Sequence, residues 1–111
     1  MFSVLDRFKY LLEDISYPTV FEGWHIKGRI KNKSNQEFKF DVQGMTKVNE
    51  DRLERNGNFK SKADKMVFET DINWIVVDLE ELHNYLRNTN NKYINLNTIV
   101  NEFQWNIILV K

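Results

Sequence analysis

Two stretches of alternating apolar and charged residues constrain the fold of this chain more than any other feature. The first runs from Trp24 to Lys31 and the second from Glu37 to Gln43, with the short polar segment 32–35 between them. A two-residue period places successive side chains on opposite faces of a strand. The two stretches therefore predict a β-hairpin with one apolar face and one charged face.

The alternation also limits the register of this hairpin. The apolar side chains of both strands share a face only when the numbers of directly paired residues sum to an even number. A sum of 68 places Lys31 opposite Glu37, whereas a sum of 66 places Arg29 opposite Glu37 and His25 opposite Asp41. Both registers give the basic residues acidic neighbours.

Three further segments have apolar residues at the three- and four-residue steps of an amphipathic helix. They are Ser3–Ser16, a segment that begins at Asp78 and ends near Asn88, and Asn95–Phe103. In the first segment, Ser3 and Asp6 have the spacing of a capping box. Tyr17 precedes Pro18 and is pushed out of helical geometry, which sets the end of that predicted helix.

Apolar and β-branched runs predict the remaining strands. Met66–Ile72 and Trp105–Val110 are typical of strands, and Trp74–Val77 is either a continuation of the first run or a separate strand. The predicted order is α-β-β-(insert)-β-α-α-β. This order predicts an α+β fold, in which helices pack on one side of an antiparallel sheet.

The insert is the polar, weakly patterned segment 44–65, which we expect to be the most mobile part of the chain. Two local structures are compatible with it. Asn49 could cap a short helix over Glu50–Arg55, or Asn56 and Gly57 could form the turn of a protruding hairpin.

The length and composition predict a single globular domain over residues 1–111 with a cytoplasmic location. The chain has 41% hydrophobic residues, no cysteine and no apolar run approaching the ~20 residues that a membrane-spanning helix needs. It also begins without the basic, then apolar, pattern of a secretory leader. We therefore expect no membrane partner.

A net charge of zero conceals a segregation of charge along the chain. Residues 22–65 contain 11 basic and 7 acidic residues, a net charge of +4, whereas residues 66–81 contain five acidic residues and no basic one. Such an asymmetry suggests a charged partner.

Local motifs for catalysis or cofactor binding are missing from the sequence. His25 and His83 belong to no zinc-binding pattern, no strained G-x-S-x-G turn presents a nucleophile, and the four glycines form no phosphate-binding loop. Glu69, Asp71 and Asp78 could in principle hold a divalent ion, but a solvated acidic surface is the simpler interpretation. We expect a non-enzymatic protein without a metal or cofactor.

A nucleic-acid-binding face is one alternative, because single-strand binders follow the phosphates with basic residues and stack bases on aromatic rings. The candidate residues are His25, Lys27, Arg29, Lys31, Lys33 and Lys39. The hairpin aromatics alternate onto the opposite face, however, and acidic residues interrupt the basic ones. These features argue against nucleic acid as a partner.

The sequence is similar in type to the small cytosolic immunity proteins that protect bacteria from a cognate toxin. The similarity consists of size, lack of cysteine, a helix-plus-sheet plan and a charged surface, without a shared motif. It implies an inhibitor that blocks the active surface of a toxin, such as a nuclease. The expected contact residues are Glu69, Asp71, Asp78, Glu80, Glu81, Trp24 and Tyr85. A phage-encoded inhibitor of a host defence and a homodimer are further alternatives.

Overall fold

The computed structural model describes residues 3–20, 23–33, 35–45, 61–89 and 96–111. Within these ranges the chain forms three α-helices and six strands. In chain order they are α1 (Val4–Phe8), a 3-10 helix (Lys9–Leu11), β1 (Leu12–Ser16), β2 (Ile26–Ile30), β3 (Phe38–Met45), β4 (Lys65–Glu69), β5 (Asn73–Asp78), α2 (Leu79–Thr89), α3 (Leu96–Glu102) and β6 (Asn106–Val110).

The six strands form one sheet in the order β1-β2-β3-β4-β5-β6. Neighbouring strands are antiparallel except β3 and β4, which are parallel. A parallel pair needs a connection long enough to return the chain to the same end of the sheet, and β3 and β4 are well separated in sequence, since β3 ends at Met45 and β4 begins at Lys65. The α+β class and the mostly antiparallel sheet are confirmed.

The predicted hairpin is formed by β2 and β3. Ile26 pairs with Phe40 and Gly28 pairs with Phe38, which is the register whose residue numbers sum to 66. Ile26 and Phe40 are both buried on the same face, as the alternation predicted.

Two apolar clusters hold the helices against the sheet. Helices α2 and α3 pack together on one side, against the strand residues Met66, Phe68, Ile75 and Val77. Val67 lies between Met66 and Phe68 along β4 and belongs to the second cluster, which also includes Phe8 of α1. The ring of Phe8 meets that of Phe40 edge to face at 5.3 Å between centroids.

The prediction of one helix over Ser3–Ser16 is wrong in its second half. The capping box at Ser3 and Asp6 is present, but α1 ends at Phe8 and the chain enters β1 at Leu12. Leu12 pairs with Ile30, so the open edge of β2 gains a partner strand. A helix this short depends on tertiary packing, and strand pairing therefore overrides the local helical pattern.

The other predicted elements occur close to their expected positions. Trp74–Val77 lies in a separate strand, which pairs antiparallel with β4. Asp78 caps α2, since its carboxylate accepts a hydrogen bond from the backbone N–H of Glu81 at 3.0 Å. The two ends of the predicted insert 44–65 belong to β3 and β4, while both alternatives for 50–57 lie outside the described residues.

Candidate functional site

A surface depression of about 300 Å³ lies where the start of β3 meets the start of β4 and the junction of β5 with α2. The residues that line it are Gln36, Phe38, Ala63, Asp64, Lys65, Asp78 and Glu80. It therefore contains two of the residues that the sequence analysis selected, Asp78 and Glu80. They are adjacent to a third acid, Asp64, and to an aromatic ring.

Lys65 and Asp78 form the inner wall of the depression. The Lys65 side chain is buried, and its Nζ donates a hydrogen bond to Asp78 Oδ1 at 2.9 Å. The same ammonium lies 3.7 Å from the ring centroid of Trp105 and 4.7 Å from that of Phe38. Aromatic faces attract a cation, so both rings stabilise the ammonium of this lysine. It neutralises Asp78 and leaves the outer acids to determine the charge of the rim.

The outer rim carries Asp64 and Glu80, both exposed. Asp64 is fixed by the backbone, because its carboxylate accepts a hydrogen bond from the Lys39 N–H at 2.9 Å. Its own carbonyl accepts a bond from the N–H of Leu79 at 3.1 Å, which joins this segment to the start of α2. Glu80 lies in the first turn of α2, where the helix dipole favours a negative charge.

A second groove adjoins the rim and has a different charge. It shares Ala63 and Glu80 with the depression, and its lining also includes the basic residues Lys62 and Arg87 together with His83. The surface around Glu80 therefore presents acidic and basic groups side by side. Asp64 and Lys62 were not predicted as contact residues, because both lie within the polar segment 44–65, which was interpreted as an insert.

Glu69 belongs to the interior rather than to the acidic surface. Its side chain is 1% exposed, and its two carboxylate oxygens accept hydrogen bonds from Arg7 at 2.6 and 3.0 Å. Lys111 Nζ donates to Oε2 at 3.0 Å. The hydrogen bonds from Arg7 lower the pKa of Glu69; burial opposes this shift, and Lys111 adds to it. This carboxylate links α1 and the segment after β6 to the middle of the sheet.

The other two acidic candidates are separated from the depression or engaged in the fold. Glu81 accepts hydrogen bonds from the backbone N–H groups of Gln104 at 2.8 Å and Trp105 at 3.0 Å, and so joins α2 to the segment before β6. Asp71 is exposed in the turn between β4 and β5. That turn is at the opposite end of the hairpin from Asp78.

The aromatic candidates Trp24 and Tyr85 also have intramolecular contacts. Trp24 is buried, with Lys39 Nζ 5.5 Å from its ring centroid. Tyr85 packs against Phe103 at 5.4 Å between centroids, and its hydroxyl donates to Glu102 at 3.2 Å. Burial, and then the hydrogen bond to Glu102, raise the pKa of Tyr85. Neither residue lines the acidic depression.

The basic candidates lie close to acids or to backbone acceptors. Lys27 Nζ is 3.6 Å from Glu37, and the Arg29 guanidinium is paired with Asp14. Lys31 Nζ donates to the carbonyl of Tyr10 at 3.0 Å. The pairing reduces the positive field that a polyanion would meet on this face.

The remaining basic candidates follow the same pattern or lie in the hairpin turn. His25 Nδ1 accepts a hydrogen bond from the N–H of Val42 at 3.0 Å. The same nitrogen lies 3.5 Å from a carboxylate oxygen of Asp41. Asp41 is the residue that the register with a sum of 66 places opposite His25. Lys33 is exposed in the turn after β2.

Neither a metal-binding cluster nor a membrane-spanning helix occurs among the described residues. Within these ranges, no group of three or more His, Asp or Glu side chains is placed to hold a metal ion. Among the helices of the same ranges, none is long and apolar enough to cross a membrane.

No family model matches the sequence, no curated protein matches it, and no solved structure matches the fold. The geometry of the described residues is therefore the basis for the functional proposal.

Proposed function

We propose that this chain is a non-enzymatic, protein-binding inhibitor, acting as a small immunity protein that neutralises a cognate toxin by covering its active surface. The observation that supports the proposal is the depression with an acidic rim and an aromatic wall. We assign the target contact to this depression and to the groove that adjoins it.

The chemistry of the depression suits a lysine or arginine side chain of a partner protein. Asp64 and Glu80 can bind the charged end of such a side chain, while Phe38 can pack against its aliphatic stem. Lys65 already neutralises Asp78, so an incoming cation would interact mainly with the two outer acids. Arginine is enriched among the residues that dominate protein interfaces.

The neighbouring groove favours a protein partner over a polyanion. Lys62 and Arg87 line this groove, and Glu80 lines both the groove and the acidic depression. A nucleic acid presents one sign of charge, whereas a protein surface can match alternating signs. Toxins that act on nucleic acids have basic clefts, and the acidic depression would block such a cleft. Charge complementarity between the two surfaces would also speed association.

The first test is capture followed by a toxicity assay. The tagged chain is used as bait in its native host, and the protein recovered in stoichiometric amount is expressed alone and together with the chain. We expect growth arrest in the first case and rescue in the second. A captured protein that is harmless by itself would refute the toxin assignment, and recovery of nucleic acid alone would refute protein inhibition.

The second test locates the contact with two matched charge reversals. Glu80→Lys alters the rim of the depression, and Asp71→Lys makes the same change at the far end of the β4–β5 hairpin. We expect Glu80→Lys to slow association with the captured toxin by about tenfold or more, with a weaker salt dependence. Asp71→Lys should leave the rate nearly unchanged. Equal effects of the two variants would refute the assignment of the site.

A further inference from the structure

Strand β6 forms one edge of the sheet. In the ranges that the structure describes, it pairs with β5 and lies last in the strand order. An edge strand presents a row of backbone N–H and C=O groups that can pair with another chain. Natural proteins usually protect such an edge with charges, proline or a bulge. The five residues of β6, Asn-Ile-Ile-Leu-Val, contain neither a charge nor a proline.

The hydrogen bonding at the end of β6 identifies the backbone groups that face outward. The N–H of Lys111 donates to the carbonyl of Ile72 at 3.0 Å, so the backbone of Lys111 faces β5. Alternate residues of an antiparallel strand face the same neighbour, which places Ile107 and Leu109 toward β5 as well. The outward-facing residues are therefore Asn106, Ile108 and Val110.

The side chains of two outward-facing residues add an apolar surface to this edge. Ile108 is 38% exposed and Val110 is 83% exposed. Ile72, which is also exposed, lies beside the end of the strand. Exposed apolar groups grouped along an edge are a common feature of protein interaction sites.

We propose that two copies of this chain pair through β6, antiparallel, about a two-fold axis at Ile108. In this register Ile108 lies opposite the partner's Ile108, and Asn106 lies opposite the partner's Val110. All three outward-facing residues then exchange backbone hydrogen bonds, which gives about six bonds across the interface. The two sheets join into one continuous sheet with a self-complementary contact.

The composition of β6 favours a second copy as the occupant. Because the two-fold axis passes through Ile108, Ile107 lies opposite the partner's Leu109, and Leu109 lies opposite the partner's Ile107. Apolar residues therefore contact apolar residues on both sides of the axis. No charge in the strand meets a like charge, and the net charge of zero gives no overall repulsion between two copies. This dimer uses other residues than the acidic depression, and it is therefore independent of the proposed inhibition.

Sedimentation equilibrium with a matched pair of variants tests the dimer. Ile15 in β1 and Ile108 in β6 are both edge-strand isoleucines with 38% exposure. We expect wild type at twice the 13.4 kDa chain mass. Ile108→Lys brings two like charges together at the axis and should raise the dissociation constant by more than about tenfold, whereas Ile15→Lys should not. Val110→Lys is the second β6 variant, and circular dichroism verifies that each variant folds.

Cysteine cross-linking tests the register without background, because the chain has no cysteine. Directly opposed, hydrogen-bonded residues have Cα atoms about 5.5 Å apart, a distance that a disulfide can span. Under diamide oxidation, Ile108→Cys should form a covalent dimer at least about tenfold faster than Ile15→Cys, whose site is off the two-fold axis.

Three results would overturn the proposal. They are a wild-type protein that remains monomeric at millimolar concentration, equal cross-linking rates for the two cysteine variants, and a dimer that both Ile108→Lys and Val110→Lys leave intact.

Discussion

The two edges of the sheet differ in how they are protected. At the β1 edge the pairing with β2 shifts register between Glu13 and Ser16, and Asp14 has a positive φ of 55°. A bulge, a twisted backbone and exposed charges discourage pairing with another chain. At the β6 edge the register with β5 is regular and the residues are neutral. Among the described residues, the β6 edge therefore lacks the protection that the β1 edge has.

Glu69 connects the two edges in spite of this difference. It lies on β4, in the middle of the sheet, and binds Arg7 from the helix before β1 and Lys111 from the segment after β6. A buried carboxylate is stable only when cations or hydrogen-bond donors satisfy it. The same residue therefore anchors the chain next to a protected edge and next to an open one.

The largest expected effect comes from proline in β6. Leu109→Pro removes an N–H that faces β5, and we expect a loss of about 3 kcal/mol or more in the free energy of unfolding. Ile108→Pro removes an N–H that faces outward, and it should cost clearly less at protein concentrations below the dissociation constant of the proposed dimer. Urea unfolding of both variants measures the difference. If the two prolines are equally damaging, the deduced orientation of the edge is wrong.

The next largest loss of stability is expected from removing the negative charge of Glu69, which links the two edges of the sheet. Glu69→Gln leaves Arg7 and Lys111 without their carboxylate, and we expect a loss of about 2 kcal/mol at pH 7, reduced by the partial exposure of both cations. Thermal unfolding monitored by circular dichroism gives this value. Asp71→Asn, which neutralises an exposed acid, is the control and should change little. A loss below about 0.5 kcal/mol for Glu69→Gln would contradict a stabilising role.

The same carboxylate predicts a pH dependence. The pKa of Glu69 is lower in the folded state, whereas an unfolded glutamate has a pKa of about 4.3. Between these values the unfolded state binds more protons, so acidification reduces stability. The difference in free energy of unfolding between wild type and Glu69→Gln should have its maximum value above about pH 5. It should shrink as the pH falls through the pKa of Glu69 in the folded state. A difference that grows on acidification would contradict this sign.

A smaller effect is expected where β1 packs on β2. A Cβ atom at Gly28 would lie 3.0 Å from the carbonyl oxygen of Glu13. Gly28→Ala should therefore displace β1 and lower the free energy of unfolding by about 1 to 2 kcal/mol. Relative to wild type, hydrogen exchange should accelerate more in β1 than in β6. Hydrogen exchange by mass spectrometry measures this. Equal changes at both edges would argue against local displacement of β1.

The smallest effect is expected from Ile15→Lys. Ile15 is exposed on the protected edge, and we expect its substitution to alter the free energy of unfolding by less than about 0.5 kcal/mol. Chemical denaturation measures it. A larger loss would show that Ile15 takes part in packing, and it would weaken its use as the control for Ile108.

The sequence predicted the elements whose pattern is local. The alternation in β2 and β3 limited the hairpin to two registers, and the structure has one of them. The helical pattern that begins at Asp78 corresponds to α2, and the carboxylate of Asp78 makes the capping bond of this helix. Such patterns involve residues within a few positions of one another, so a local reading is sufficient.

The candidate site was less accessible to sequence reasoning. Asp78 and Glu80 line the depression, but Asp64 and Lys65 reach it from a segment that looked like an insert. Glu69 was interpreted as part of a solvated acidic surface, but its partner Arg7 is 62 positions away in the chain. Which charged groups meet across the sheet depends on strand order, and no local signal in one sequence specifies that order.

By itself, the sequence determined an α+β chain with a β2–β3 hairpin, a capped helix from Leu79 and a closing apolar strand. Only the tertiary structure decided that Leu12–Ser16 is a strand, that β3 and β4 are parallel, and that Glu69 is buried. It also decided that β1 and β6 form the edges. The physical reason is that side-chain periodicity acts within a segment, whereas strand pairing and the burial of charge depend on groups distant in the chain.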